Sequence, residues 1–136
     1  MSNQSKKIID INETDMPLTH TFSDGIYARE IFMPKGLFIV GHVHNTTHIN
    51  IVSTGRALVW MNGEMNEVTA PYTFESKAGT RKALFIFEDM FWTTIHKTDE
   101  TDIEVLENTL IDKSASEGLD FNLKHIETKF LEYRGE

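Results

Sequence analysis

The sequence contains no cysteine, which excludes disulfides, thiolate metal sites and cysteine nucleophiles. No apolar run approaches the ~18 residues that a membrane-spanning helix needs. Positive charge is scarce, since 13 Lys and Arg accompany 21 Asp and Glu, and the net charge of −8 disfavours binding to a nucleic-acid backbone. No apolar stretch of the signal-peptide type follows residues 1–7. We therefore expect a cytoplasmic protein that binds neither membranes nor nucleic acid.

The chain has the length and composition of one domain. Its 136 residues are 40% hydrophobic and 25% charged, which is enough apolar material for one core. We expect an N-terminal segment over 1–19, a strand-rich region over 20–97 and a helical appendage over 98–136. Short strands recur in the central region about every ten residues, and Asn62-Gly63 is typical of a two-residue hairpin turn. This pattern predicts an all-β sandwich or barrel.

The two ends of the chain have different patterns. Pro17 is expected to break any regular element near the N-terminus. Thr101 and Glu104 have the spacing of a capping box and predict a helix over 101–112. A second helix is predicted over 121–134 from apolar residues at helical spacing, namely Leu123, Ile126, Phe130 and Tyr133. Both helices are expected to cover apolar surface of the barrel or of a partner subunit.

Histidine is the residue type on which any chemistry would depend. Gly36 is followed by five residues, then His42, one residue, His44, three residues, His48, six residues and Gly55. Side chains alternate along a strand, so His42 and His44 are predicted to share one face, and a turn would return the chain at His48. Three imidazoles that converge in this way could bind Zn, Fe, Mn, Ni or Cu.

This spacing resembles the first motif of the cupin superfamily, in which a Glu normally stands where this chain has His48. Residues 77–82 match the frame of the second cupin motif, with Lys82 in the position of the usual ligand His. The later segment Trp-Thr-Thr-Ile-His is also cupin-like and makes His96 a candidate replacement ligand. The resemblance covers roughly residues 20–100 and implies a cupin-type jelly-roll β-barrel, to which the chain adds a C-terminal α-helical appendage.

Two shorter segments resemble one particular group within the cupin superfamily. Residues 44–50, HNTTHIN, and residues 92–102, with their acidic helix start, are similar to short single-domain cupins encoded by bacteriophages and prophages. The resemblance implies a small cupin that binds or acts on a small molecule and holds one divalent transition metal (Zn, Fe, Mn or Ni). The implied metal ligands are His44, His48, His96 and His42. The alternative is that these histidines line a barrel that holds no metal, and His96 alone could be a hydrogen-bonded interior residue.

Lys82 and Asn50 are the candidate substrate-binding residues. Lys82 is a poor metal ligand because its amine is normally protonated. It either stabilises negative charge on a substrate inside the barrel or extends to the barrel mouth beside Arg81. Asn50 could bind a ligand, support a metal ligand or bond a neighbouring strand.

A non-enzymatic function is the alternative from a different class. The chain could be a phage-type binding or assembly protein, such as a virion component, a host-protein inhibitor or a sponge for a signalling molecule. Loss of the motif His at Lys82 favours this alternative, whereas three retained histidines favour a metal protein. If His48 faces inward, Ile49 and Ile51 face outward and need cover, so a homo-oligomer is expected.

Overall fold

The computed structural model describes residues 6–9, 15–112 and 123–133. In this part of the chain, no helix is long and apolar enough to cross a membrane. The elements follow in the order β1 (Lys6–Ile9), β2 (Asp15–Ser23), β3 (Ile26–Met33), β4 (Phe38–Val40), β5 (Val43–His44), β6 (His48–Met61), β7 (Glu64–Thr69), β8 (Tyr72–Ser76), β9 (Lys82–Lys97), α1 (Ile103–Leu110), β10 (Ile111–Asp112) and α2 (Leu123–Tyr133).

Strands β6 and β9 are the longest, and both run through the two halves of the fold. Residues 48–52 of β6 pair with β8 and with the C-terminal part of β9, whereas residues 56–61 pair with β7 and the N-terminal part of β9. Strands β3 and β4 add to opposite ends of β9. Among the described residues the ladder runs β1-β2-β3-β9-β6-β7 and does not return to β1. The antiparallel sheet therefore folds over on itself as a jelly roll without closing completely.

Gly55 allows β6 to pass between the two halves. The pairing of β6 with β9 shifts register between Val52 and Ala57, which marks an irregularity of the β-bulge type. Gly55 has a φ of +105°, and a Cβ there would lie 2.6 Å from the carbonyl oxygen of Asp89. No other residue fits without displacing that backbone. Gly55 thus bends one continuous strand rather than ending it, and residues 88–89 likewise lie within the continuous strand β9.

The core lies between the two halves. Val52, Val59, Ile86 and Met90 are completely buried there because alternate residues of β6 and β9 point inward. Burial of apolar side chains from both halves is what holds the folded-over sheet together.

Each predicted helix forms and covers apolar surface of the β-structure. Helix α2 packs Ile126 and Phe130 against Leu58 and Ala83 on the outer side of the sheet. Helix α1 packs a separate cluster, which consists of Leu106, Leu110, Ile111 and Tyr27.

The ends of the elements differ from the prediction. Helix α1 is capped by Asp102, whose carboxylate accepts from the Val105 amide, because Thr101 lies one residue too early. Residues 111–112 leave the helix and form β10 instead. Residues 121, 122 and 134 lie outside the described residues.

At the N-terminus, the predicted break at Pro17 is wrong, since Pro17 lies inside β2. At Pro17, β2 pairs only with β1, because the pairing of β2 with β3 begins one residue later, at Leu18. Proline is tolerated at such a sheet edge. The predicted boundary between 19 and 20 therefore falls within a strand.

Candidate metal centre

Three imidazoles lie together at one end of the fold. One nitrogen from each of His44, His48 and His96 can be chosen so that all lie within 4.8 Å of one another. The ring centroids are 4.6 Å apart for His44 and His48, 5.0 Å for His48 and His96, and 5.5 Å for His44 and His96. His48 and His96 are buried, and His44 is partly buried. The structure thus brings together three of the four predicted histidines.

Strand alternation explains two of these positions. His48 and Asn50 are buried on the inner face of β6, while Ile49 between them is 40% exposed. On β9, Thr94 and His96 point to the same inner face. The parity predicted for His48 and Ile49 on β6 is therefore confirmed.

The turn before β6 fixes the protonation pattern of His48. Its Nδ1 lies 2.8 Å from the carbonyl oxygen of Thr46, so Nδ1–H donates to that oxygen. In the neutral ring the lone pair is then on Nε2. That Nε2 is buried and has no hydrogen-bond partner among the described residues. Such an outer hydrogen bond is what orients a metal-binding imidazole in many proteins.

The other two rings differ in their partners. Nδ1 of His44 is also buried without a hydrogen-bond partner in the part of the chain that the structure describes. His96 lies between two hydroxyls: its Nε2 is 3.0 Å from Thr94 Oγ1 and its Nδ1 is 3.4 Å from Thr46 Oγ1. Thr46 therefore contacts two of the three imidazoles, through its carbonyl and its hydroxyl. Its role was missed in the sequence, where it reads only as part of a turn.

Burial favours the neutral form of all three imidazoles. Burial lowers the pKa of His44 to about 2, aided by the neighbouring charges of His48, Arg29, Lys82 and His96. Burial also lowers the pKa of His96 to about 4. It lowers the pKa of His48 too, against the opposing effect of the Thr46 carbonyl. Neutral imidazole is the form that binds a metal, so this donor set fits a divalent transition ion.

The strand that carries His44 is held by the C-terminal part of the chain. Ile111 of β10 pairs with His44 of β5. The Asn45 amide donates to the Leu110 carbonyl at 2.7 Å, and its side chain donates to the Thr109 carbonyl at 3.0 Å. These bonds make α1 and β10 part of the site's support. These bonds could not be predicted from the sequence, because residues 111–112 continue the apolar pattern of the helix.

A buried ion pair ties α1 to the sheet beside the site. Arg29 Nε donates to Glu107 Oε2 at 3.0 Å, and the two side chains are 9% and 17% exposed. Arg29 also lowers the pKa of His44 and His96 by its charge. This pair was also missed, since the two residues are far apart in the sequence.

A cavity of about 250 Å³ adjoins the cluster, and His44 and His48 are in its wall. Lys82, the first residue of β9, also lines this cavity. Burial lowers the pKa of Lys82 to about 8. His96 is not among the described lining residues.

His42 does not join the other three histidines. It is exposed and lines the cavity, but it lies outside the group of three. His42 also lies outside the strand that carries His44, because β5 begins at Val43. Regular strand ends at Val40 and resumes at Val43, so side-chain alternation does not extend back to residue 42.

Asn50 is completely buried and is engaged by protein groups. Its amide nitrogen donates to Ser76 Oγ at 2.8 Å and lies 3.4 Å from the Phe74 carbonyl, both on β8. Its carbonyl oxygen accepts from Trp92 Nε1 at 2.9 Å. Of the predicted roles, the structure therefore favours bonding to a neighbouring strand, which also fixes the Trp92 ring in the cavity wall.

Solved structures with the same architecture include several cupins. An RmlC-like cupin from Shewanella frigidimarina aligns with a TM-score of 0.56 at 19% identity, over 74% of this chain and 89% of the other. The cupin domain of Schizosaccharomyces pombe Cnp3 aligns with a TM-score of 0.52 at 15% identity, over 68% of this chain and 66% of the other. The chain has the cupin fold. The resemblance deduced from the histidine motif is thus confirmed at the level of fold.

An enzyme-like neighbour has the same architecture. A predicted oxalate decarboxylase from Thermotoga maritima aligns with a TM-score of 0.55 at 13% identity, over 68% of this chain and 91% of the other. At such low identities the likeness extends to the fold alone. No model of a protein family matches the sequence, and no curated protein matches it. The expected bacteriophage origin finds no support in these comparisons.

Proposed function

We propose that this cupin-fold chain binds one divalent transition metal through His44, His48 and His96, and that it binds or transforms a small molecule in the adjoining cavity. The observation that carries the proposal is the pair of buried imidazole nitrogens, His44 Nδ1 and His48 Nε2, that have no hydrogen-bond partner in the described chain. An unsatisfied buried polar atom costs about 1–3 kcal/mol, and a metal ion would remove that cost.

The donor set is typical of a site that reacts rather than one that is only structural. Three protein ligands leave room for water or substrate, whereas structural zinc sites use four. When bound, such a metal supplies Lewis-acid chemistry toward a substrate oxygen. The chain's own residues orient the ligands through Thr46, and the apolar cavity wall limits water around the substrate.

Metal content provides the direct test. Protein purified with chelator and then loaded at pH 7.5 with Zn, Mn, Ni or, without oxygen, Fe(II) should retain one ion per chain after desalting. His44→Ala and His48→Ala should each lose it, because each removes a ligand. His125→Ala is the matched control, since His125 lies exposed on α2. A metal content well below one ion per chain in the loaded wild-type protein would overturn the proposal.

A non-enzymatic binding protein is the second candidate. Two observations favour it: no carboxylate belongs to the described cluster of three histidines, and Lys82 occupies the place of the second-motif histidine. Failure of the metal test would make this the preferred function.

We also propose that a second copy of the chain covers the outer face of the sheet. Ile49 is 40% exposed and is paired with Ile95 on β9, and Phe91 on the same face of β9 is 37% exposed. Adjacent exposed apolar side chains of this kind are common in subunit interfaces.

A further inference from the structure

We propose that the cavity binds a small monocarboxylate with an apolar body, its carboxylate held by Lys82 and its body against the apolar wall. This inference names the class of ligand that the site would bind, and to that extent it rests on the proposed function. The ion pair with Lys82, however, requires no metal.

The charges around the cavity point to an anion. Among the described lining residues there is no Asp or Glu. Arg29 has its carboxylate partner in Glu107, at 3.0 Å. No carboxylate of the described chain forms an ion pair with Lys82, so this largely buried ammonium has no such counter-ion. Because an unpaired buried charge is costly, an anionic ligand gains free energy there that a neutral ligand does not.

Lys82 lies at the same end of the cavity as the imidazoles. The carbonyl oxygen of Lys82 accepts a hydrogen bond from the Gly41 amide at 2.9 Å, which places the start of β9 beside the segment that leads to His44. The charge of Lys82 also contributes to the lowered pKa values of His44 and His48. All three residues line the cavity. An anionic head group beside Lys82 is therefore also beside the proposed metal ligands.

Most of the rest of the wall is apolar, although Arg29, His42, Asn50 and Thr94 also line it. Ile31, Met33, Ile39, Leu84 and Trp92 line it. The one amide there, Asn50, already bonds Ser76 and Trp92. A sugar or a dicarboxylate would bury hydroxyl or carboxylate groups without partners against these side chains, whereas a hydrocarbon body gains free energy from the same contact.

The size of the cavity limits the body. Its volume is about 250 Å³. At about 30 Å³ for each water-sized group, this holds about eight non-hydrogen atoms. Hexanoate has that size, and hexanamide and hexylammonium match it in shape while they change the charge.

Calorimetric titration with these three probes tests the inference. At pH 7, hexanoate should bind at least about ten-fold more tightly than hexanamide, because a hydrogen bond to a charged group is stronger than one between neutral groups. Hexylammonium should not bind detectably. Lys82→Met should lose this about ten-fold preference for hexanoate while its affinity for hexanamide is retained, which also shows that the cavity is intact. Lys35→Met, at an exposed lysine outside the cavity lining, is the matched control and should behave as wild type.

Each titration is made with chelator-treated and with metal-loaded protein, which separates this inference from the proposed function. If the protein never retains metal but still binds hexanoate in a way that depends on Lys82, the metal site is disproved and the carboxylate site is supported. Metal-loaded protein that binds hexanoate no better than hexanamide would overturn the carboxylate inference alone. Equal affinity of wild type and Lys82→Met for hexanoate would also overturn it.

Discussion

The clustered imidazoles should make the metal-free protein lose stability as the pH falls. In the folded chain the pKa of His44 is about 2 and that of His96 is about 4, whereas both have values near 6.5 when exposed. The unfolded chain therefore binds more protons below pH 6.5, so the free energy of unfolding decreases with decreasing pH. The contribution of these two histidines to stability is fully present above about pH 6.5. It is lost progressively as the pH falls toward their pKa values in the folded chain.

The size of the effect follows from these pKa values. At about pH 5, protonation stabilises each unfolded histidine by about 2 kcal/mol, while the folded rings stay mostly neutral. Through His44 and His96 together, the free energy of unfolding should therefore decrease by about 4 kcal/mol between pH 7.5 and pH 5. Urea unfolding with chelator, followed by circular dichroism at several pH values, measures this difference directly.

Matched variants assign the effect to the cluster. The double variant His44→Gln and His96→Gln should show a much weaker pH dependence between pH 7.5 and 5, because neither side chain titrates. His125→Gln, which removes an exposed histidine, should retain the wild-type dependence. An unfolding free energy of the wild-type protein that stays constant from pH 7.5 to 5 would refute the reasoning.

Three further changes test other parts of the structure. Glu107→Ala leaves Arg29 buried without its partner and should lower the unfolding free energy by about 3 kcal/mol, and denaturation at the wild-type midpoint would contradict this. Phe130→Ala removes a buried ring from the outer cover of the sheet and should cost about 3 kcal/mol in urea unfolding while metal content stays unchanged; loss of metal would show that α2 supports the site. The double variant Ile49→Lys and Ile51→Lys should reduce the oligomer to monomer by light scattering, and an unchanged oligomeric mass would argue against the proposed interface.

Local sequence signals predicted the parts of the fold that depend on neighbours in the chain. Asn62 and Gly63 both have positive φ, at 53° and 77°, in the two-residue turn between β6 and β7. The opposite faces of His48 and Ile49 followed from side-chain alternation within one strand. The cupin fold itself was recognisable from the spacing of glycine and histidine.

Features that depend on distant residues could not be predicted in this way. Gly55 reads as a strand end in the sequence, and only its close approach to Asp89 shows that it is a bend. The pairing of Arg29 with Glu107 leaves no periodic pattern. The position of His42 depends on where regular strand stops, which is the least predictable property of a short β-segment.

The pairing of β5 with β10 has a consequence for how the site is assembled during synthesis. A chain leaves the ribosome with its N-terminus first, so all three imidazoles emerge before residues 111–112 do. Until then His44 is on a two-residue segment whose pairing strand has not yet emerged. A metal ion that arrives at this stage would meet two of the proposed ligands on long strands and the third on a segment that is not yet held. Stable loading is therefore expected only after β10 has been synthesised and has paired.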